Sequence, residues 1–154
     1  MRSLDYLDKN NILYNQIYLD EIPKSAKDVG RLFGCPVQQV LKTIVLIGNQ
    51  PIIAIIQGDQ KISFQKIKDI YNFNSLRMAN PSEVEKITGY TIGKVSPFGI
   101  EKNVKKIINE SVFKLKTVNI GSGSAEIGIE LDSKELKKVW DGNIGVCKIF
   151  CVNG

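Results

Sequence analysis

Two consecutive apolar runs constrain this chain more than anything else in it. They are "VLKTIVLIG" (40–48) and "PIIAIIQGD" (51–59), with "NQP" at their junction. Strand alternation puts Leu41, Thr43, Val45 and Ile47 on one face of the first run, and Lys42, Ile44 and Leu46 on the other. Both faces are mostly apolar, which is the pattern of a strand covered on both sides. A short polar junction between two such runs predicts a hairpin. The exception is Lys42, a cation at the head of an apolar face. It either snorkels out of the strand end or stands at the mouth of a pocket, where it can grip a phosphate or a carbonyl oxygen.

Helices and strands are interspersed along the rest of the chain. "SLDYLDKNN" predicts a short amphipathic helix with Leu4 and Leu7 on one side, and "NILYNQIYL" a strand. In "IPKSAKDVGRLFGCP", Ser25 is a helix N-cap with Asp28 three residues on, and Gly34 closes the helix before Pro36. "SFQKIKDIYN" spaces Phe64, Ile67 and Ile70 for a helix capped by Ser63, and "SLRMA" is a short strand. "NPSEVEKITGY" has Asn80 as N-cap, Pro81 at the first helical position and Gly89 at the end. "VKKIINESV" and "FKLKTVNIG" predict strands around a turn, "IGIEL" a strand, "DSKELKKVW" a helix capped by Asp132 or Ser133, and "IGVCKIFCV" a terminal strand. Hairpin-like pairs argue against a purely parallel doubly wound sheet. The expectation is a single α+β domain over 1–154 with a mixed, strongly curved sheet.

Composition excludes several chemistries. The 154 residues include no histidine, which removes Ser-His-Asp and Cys-His systems, His-ligated metals and His bases. Three cysteines, Cys35, Cys147 and Cys151, make neither a disulfide framework nor a zinc site; no cofactor or metal is expected. No apolar run reaches the roughly 20 residues of a membrane span, and the start "MRSLDYLDKNN" lacks a signal-like apolar region, so the cytoplasm is the default compartment. The net charge of +5 permits an anionic partner such as RNA without requiring one. The lysines of "EKNVKK", "FKLK" and "SKELKK" read first as solvated faces.

Two loops join Lys42 as candidate chemistry. In "GYTIGKVSPFGI", Gly93 and Pro97 stand four apart, with Gly89 before and Gly99 after. This is either a structural loop after a helix or a stiff loop whose N–H groups point into a site. "GSGSAE" (121–126) is either a strand-to-strand loop or a nest of N–H groups. It lacks the Lys-Ser/Thr of a phosphate-binding P-loop.

The order of these features, "VLKTIVLI", then "TGYTIGKVSPFG", then "INES", then "GSGSAEIGIEL", resembles the YbaK-like family. That family includes the editing insertion domain of bacterial prolyl-tRNA synthetases and its freestanding relatives. The resemblance covers nearly the whole chain. It implies a curved sheet closing into a partly open barrel with helices packed outside. It also implies hydrolysis of the ester between a wrong, small amino acid and the terminal adenosine of a tRNA. Carried over by motif, the catalytic positions are Lys42, Gly93 and Pro97. The substrate-binding positions are Thr43, Ser96, Phe98, Gly99, Gly121, Ser122, Gly123 and Ser124. The implied partners are the acceptor end of aminoacyl-tRNA and, as a candidate associate, a prolyl-tRNA synthetase.

The chain also departs from its relatives. The synthetase-embedded domain has a site histidine; this chain has none. Gly128 stands where the cysteine-specific deacylases have Asp, and Asn109 where many relatives have Asp. An aminoacyl ester is already activated, so positioned N–H donors and a water suffice, with Lys42 as anchor. The competing readings are a non-catalytic module that binds a nucleotide or a tRNA end, and a hydrolase of small esters. Selectivity is expected from pocket size, with Ile22, Val29, Leu32, Phe33 and Leu46 as lining or core residues.

Overall fold

The computed structural model describes residues 1–149. Its helices are α1 (Arg2–Lys9), α2 (Ala26–Phe33), α3 (Phe64–Tyr71), α4 (Pro81–Thr88) and α5 (Ser133–Val139). The strands are β1 (Asn15–Tyr18), β2 (Leu41–Ile47), β3 (Pro51–Gln57), β4 (Lys61–Ile62), β5 (Arg77–Met78), β6 (Lys105–Asn109), β7 (Thr117–Gly121), β8 (Ile127–Asp132), β9 (Asn143–Gly145) and β10 (Lys148–Ile149). Short 3-10 turns span Val37–Gln39 and Glu110–Lys114. The architecture is mixed α+β, as expected.

The two apolar runs do form the antiparallel hairpin β2–β3, with Lys42 opposite Ile56 and Thr43 opposite Ile55. The hairpin lies inside a five-stranded mixed sheet of order β5-β2-β3-β6-β9, in which β6 runs parallel to both β3 and β9. Both faces are covered. Ile44, Leu46, Ile52, Ala54 and Ile56 pack with Ile67 of α3 and Phe73. On the other face, Leu41 and Ile55 join Leu4 and Leu7 of α1 and Leu136 of α5, while Val45 and Ile53 meet Val84 of α4. Burial on this scale, at about 25 cal/mol per Å² of apolar surface, is what drives the fold.

The implied barrel is not found. The strands divide into this sheet, a three-stranded sheet β1-β8-β7 and a β10-β4 pair, and none closes on itself. The reason lies on β2. Its outer edge pairs with β5 at Leu46 and Ile47, and next to β7 the described residues show one isolated parallel bridge, from Val40 just before β2 to Asn119, not a ladder. The strands expected around one turn are also separated. β6 joins the large sheet and β7 the small one, because the 3-10 turn Glu110–Lys114 carries the chain from one to the other. The expected terminal strand is broken into β9 and β10; its remainder, with Cys151, lies outside the described residues.

The caps read from sequence hold. The Asp28 N–H donates to Ser25 Oγ and the Lys66 N–H to Ser63 Oγ. Asn80 and Glu83 exchange the two bonds of a capping box, with Pro81 at the first helical position. At α5 the N-cap Asp132 makes no side-chain cap bond, and the Ser133 hydroxyl instead donates to the Leu115 carbonyl.

Candidate functional site

A cleft of about 470 Å³ opens where the two larger sheets part. Val40 and Asn119, joined by an isolated parallel bridge, are among its lining residues. Three segments distant in sequence meet there: Lys42 and Thr43 of β2, residues 92–95 of the Gly/Pro loop, and Gly121, Ser122 and Ser124. One face of α2, Ala26, Val29 and Phe33, forms an apolar wall. Those positions are three and four apart, as one helix stripe requires. Beside this stripe, Gly30 lets the chain after the helix approach closely: its missing Cβ would lie 2.9 Å from the Cys35 carbonyl oxygen.

Lys42 lines the cleft, and its ammonium donates to the Gln60 carbonyl. Gln60 belongs to a buried polar line. The Gln57 N–H donates to Gln60 Oε1 at 2.9 Å, and Gln60 Nε2 returns a bond to Gln57 Oε1 at 2.9 Å. Ser111 Oγ donates to Gln57 Oε1 at 2.5 Å, and Asn109 Nδ2 to Ser111 Oγ at 2.6 Å. Asn109, 1% exposed, therefore sits behind Lys42 rather than on the cleft. Its Oδ1 accepts from the Cys147 N–H at 3.1 Å.

The Gly/Pro loop splits into two parts. Gly93 has φ +84° and open space around it, so glycine serves the left-handed turn there and not a close approach. Ser96, Pro97, Phe98 and Gly99 do not line the cleft. They anchor the loop to the core. Ser96 is fully buried and its Oγ accepts from the Phe98 N–H at 3.3 Å. The Phe98 ring stacks on Tyr6 at 6.1 Å, and its carbonyl accepts from the Tyr90 hydroxyl at 2.5 Å. A Cβ on Gly99 would fall 2.8 Å from the Arg2 carbonyl oxygen.

The Gly/Ser loop divides the same way. Gly121 lets residue 95 approach: a Cβ there would lie 2.9 Å from the Val95 carbonyl oxygen. Gly123, at φ +97°, is the seat of the Tyr90 ring and is outside the cleft. The Ser122 hydroxyl is committed to the Ile127 carbonyl at 2.5 Å and accepts from the Ser124 N–H at 3.1 Å. It closes the loop. Of the expected lining residues, Ile22, Val29 and Phe33 face the cleft; Leu32 and Leu46 do not, and Leu46 is fully buried in the core.

Two features escaped sequence reasoning. Asn119 lines the cleft at 1% exposure, with Nδ2 3.1 Å from Cys35 Sγ. Its Oδ1, and the Oγ1 of Thr43, which also lines the cleft, are buried polar atoms without a hydrogen-bond partner among the described residues. The second is the electrostatic character of the site. Lys24, Lys42 and Lys94 line the cleft, and no described carboxylate does. Burial, foremost, pushes the Cys35 thiol up, against the opposing Asn119 contact; a protonated thiol is a poor nucleophile. Among the described residues no group of three or more His, Cys, Asp or Glu is placed to hold a metal ion, and no helix is long and apolar enough to cross a membrane.

The chain was compared with known proteins. A family model for the aminoacyl-tRNA editing domain matches residues 21–139. YwhH of Bacillus subtilis, an uncharacterized protein, is 38% identical over 106 residues, 66% of this chain and 65% of that one. A proline–tRNA ligase of Fervidobacterium nodosum is 33% identical over 99 residues, 64% of this chain but 17% of the enzyme. The chain thus spans less than two thirds of these relatives' length. The crystal structure of hypothetical protein APE2540 superposes with a TM-score of 0.90 over 97% of this chain and 100% of that one, at 18% identity, which establishes the fold alone.

Proposed function

This chain belongs to the aminoacyl-tRNA editing domain family, and from that premise we infer that it is a deacylase acting in trans on mischarged tRNA. The substrate is a small amino acid esterified to the terminal adenosine. The observation that carries this reading is the meeting of Lys42, the Gly93 turn and Gly121 on one cleft lined by cations and free of described carboxylates. Such a lining suits a polyanionic tRNA end.

The chemistry follows from the substrate. Water adds to the ester carbonyl carbon, and charge develops on its oxygen. In this reading the N–H groups of Gly93 and Val95 meet that oxyanion, since the Lys94 N–H is bonded to the Thr91 carbonyl; such a donor typically carries about 100- to 1000-fold in rate. Lys42 anchors the polar end of the substrate. When the tetrahedral species collapses, the bond to the ribose oxygen breaks. The water proton passes to that oxygen, relayed by the adenosine's neighbouring hydroxyl. No side-chain base is required. Pro97, Ser96, Phe98, Gly99 and Gly123 serve this scheme indirectly, by fixing the two loops.

The test is a panel of mischarged tRNAs with wild type and Lys42→Ala. Release of amino acid over many turnovers, lost in the variant, supports the reading. A second reading, binding of a tRNA end without turnover, is favoured by one observation: the Lys42 ammonium is already engaged by the Gln60 carbonyl. Tight binding of aminoacyl-tRNA with no multiple turnover would select it.

A further inference from the structure

Phe33 closes α2, and Gly34, at φ +70°, turns the chain away after it. The ring reaches across the cleft to β8. A Cβ built on Gly128 would lie 2.0 Å from Phe33 Cζ and 3.0 Å from both Cε atoms. No side chain fits at position 128 while the ring is there. Gly128 pairs in register with Gly121, whose own missing Cβ leaves room for Val95. A cross-strand pair of glycines thus provides a bare patch of sheet on which a helix side chain and a loop carbonyl both rest.

Phe33, Val29 and Gly128 all line the cleft, with Lys42, Thr43 and Gly121 along the rest of it. A substrate with its ester beside the second group directs its side chain toward the first. We propose that Phe33, seated on Gly128, is the wall that sets the size limit for the aminoacyl side chain. The proposal rests on the editing reading for the identity of the ligand. The wall is an aromatic ring delivered by α2, not a part of the sheet. Shortening it enlarges the pocket without touching Lys42 or the two loops. An apolar pocket resolves one methylene by about 10- to 200-fold, and a phenyl-sized gap admits several.

The experiment measures Kd for amide-linked analogues of alanyl-, valyl- and leucyl-adenosine, which cannot be hydrolysed. Wild type, Phe33→Leu and Phe33→Ala are compared after circular dichroism confirms that each is folded. Wild type is expected to bind the alanyl analogue best. Phe33→Ala is expected to tighten the leucyl analogue by at least ~10-fold while changing the alanyl analogue by less than ~3-fold, with Phe33→Leu between them. An ungraded wild-type profile, or a profile that folded Phe33→Ala leaves unchanged, overturns the proposal. A further check is Gly128→Ala, which should lower Tm in the wild-type background and by less beside Phe33→Ala. Equal losses in the two backgrounds would refute the seat. Failure of the editing reading shows separately, as absent hydrolysis of mischarged tRNA despite size-graded binding of the analogues.

Discussion

The ammonium of Lys42 donates to the backbone carbonyl of Gln60, 18 residues further along the chain. That bond ties a residue of the cleft to a buried line of amides and hydroxyls running through Gln57 and Ser111 to Asn109. The position of the cation is set from behind, by groups that do not line the cleft.

Removing the cation is the first prediction. Lys42→Ala is expected to reduce kcat/KM for deacylation by about 100-fold, the scale of a charged hydrogen bond in a sheltered site. Lys42→Arg should not restore it, because a planar guanidinium cannot take the compact place of an ammonium on the Gln60 carbonyl. Steady-state hydrolysis of a labelled mischarged tRNA checks both.

The buried line makes a second prediction. Asn109→Ala leaves the Cys147 N–H and the Ser111 hydroxyl each short of a partner. Loss of about 1–3 kcal/mol in urea denaturation is expected, with a fall in activity although Asn109 is remote from the cleft. Full activity at reduced stability would show that the line does not position Lys42.

Gly93 and Gly121 are predicted to fail in different ways. Gly93→Ala meets no neighbour and strains only the left-handed backbone, at about 1–2 kcal/mol. Gly121→Ala drives a Cβ against the Val95 carbonyl and pushes the loop off the sheet. Both should lower kcat, and only Gly121→Ala should also raise the susceptibility of residues 92–95 to proteolysis. Limited proteolysis followed by mass spectrometry separates the two.

Salt should distinguish the tRNA from its terminal nucleoside. The exposed Lys24 and Lys94 stand at the mouth beside Ile22 and Ile92. For mischarged tRNA, log kcat/KM should fall with log salt, with a slope reduced by roughly 0.7–0.9 for each lysine replaced by alanine. Hydrolysis of aminoacyl-adenosine, which has no phosphate, should stay flat.

Acid should loosen α4. The Arg77 guanidinium, bonded to both carboxylate oxygens, and then the Asn80 N–H hold Glu83 at about 2, below its ordinary 4.5. A depressed folded-state pKa contributes stability above about 4.5 that is lost as pH falls toward about 2. Glu83→Gln should lower Tm at neutral pH, where that contribution is fully present, and flatten the fall between about 4.5 and about 2, so that the two curves converge in acid.

Much of the fold was legible because its signals are local. Ser25, Ser63 and Asn80 are read by what stands three residues on, and the β2–β3 hairpin by continuous burial on both faces. The site was legible only as a set of loops. Gly99 and Gly123 carry the same letter as Gly93, yet their space is filled by Arg2 and by Tyr90, residues no local pattern links to them. Phe33 on Gly128 and Asn119 beside Cys35 are likewise long-range pairs. The expected strongly curved, partly open barrel is not seen among the described residues, where β2 and β7 stay in separate sheets joined by the isolated bridge from Val40 to Asn119, a long-range relation that no local pattern carries.

The isolated bridge between Val40 and Asn119 joins two cleft-lining segments by paired backbone. Lys42, Thr43 and Gly121 follow that bridge closely along β2 and β7, where paired backbone leaves little room for displacement. Ile22 and Ile92 also line the cleft, as exposed residues of loops outside the strands. Substitutions at such exposed loop positions disturb the paired backbone little. Drift in the outer residues can therefore retune which ligands enter while the inner geometry stays put.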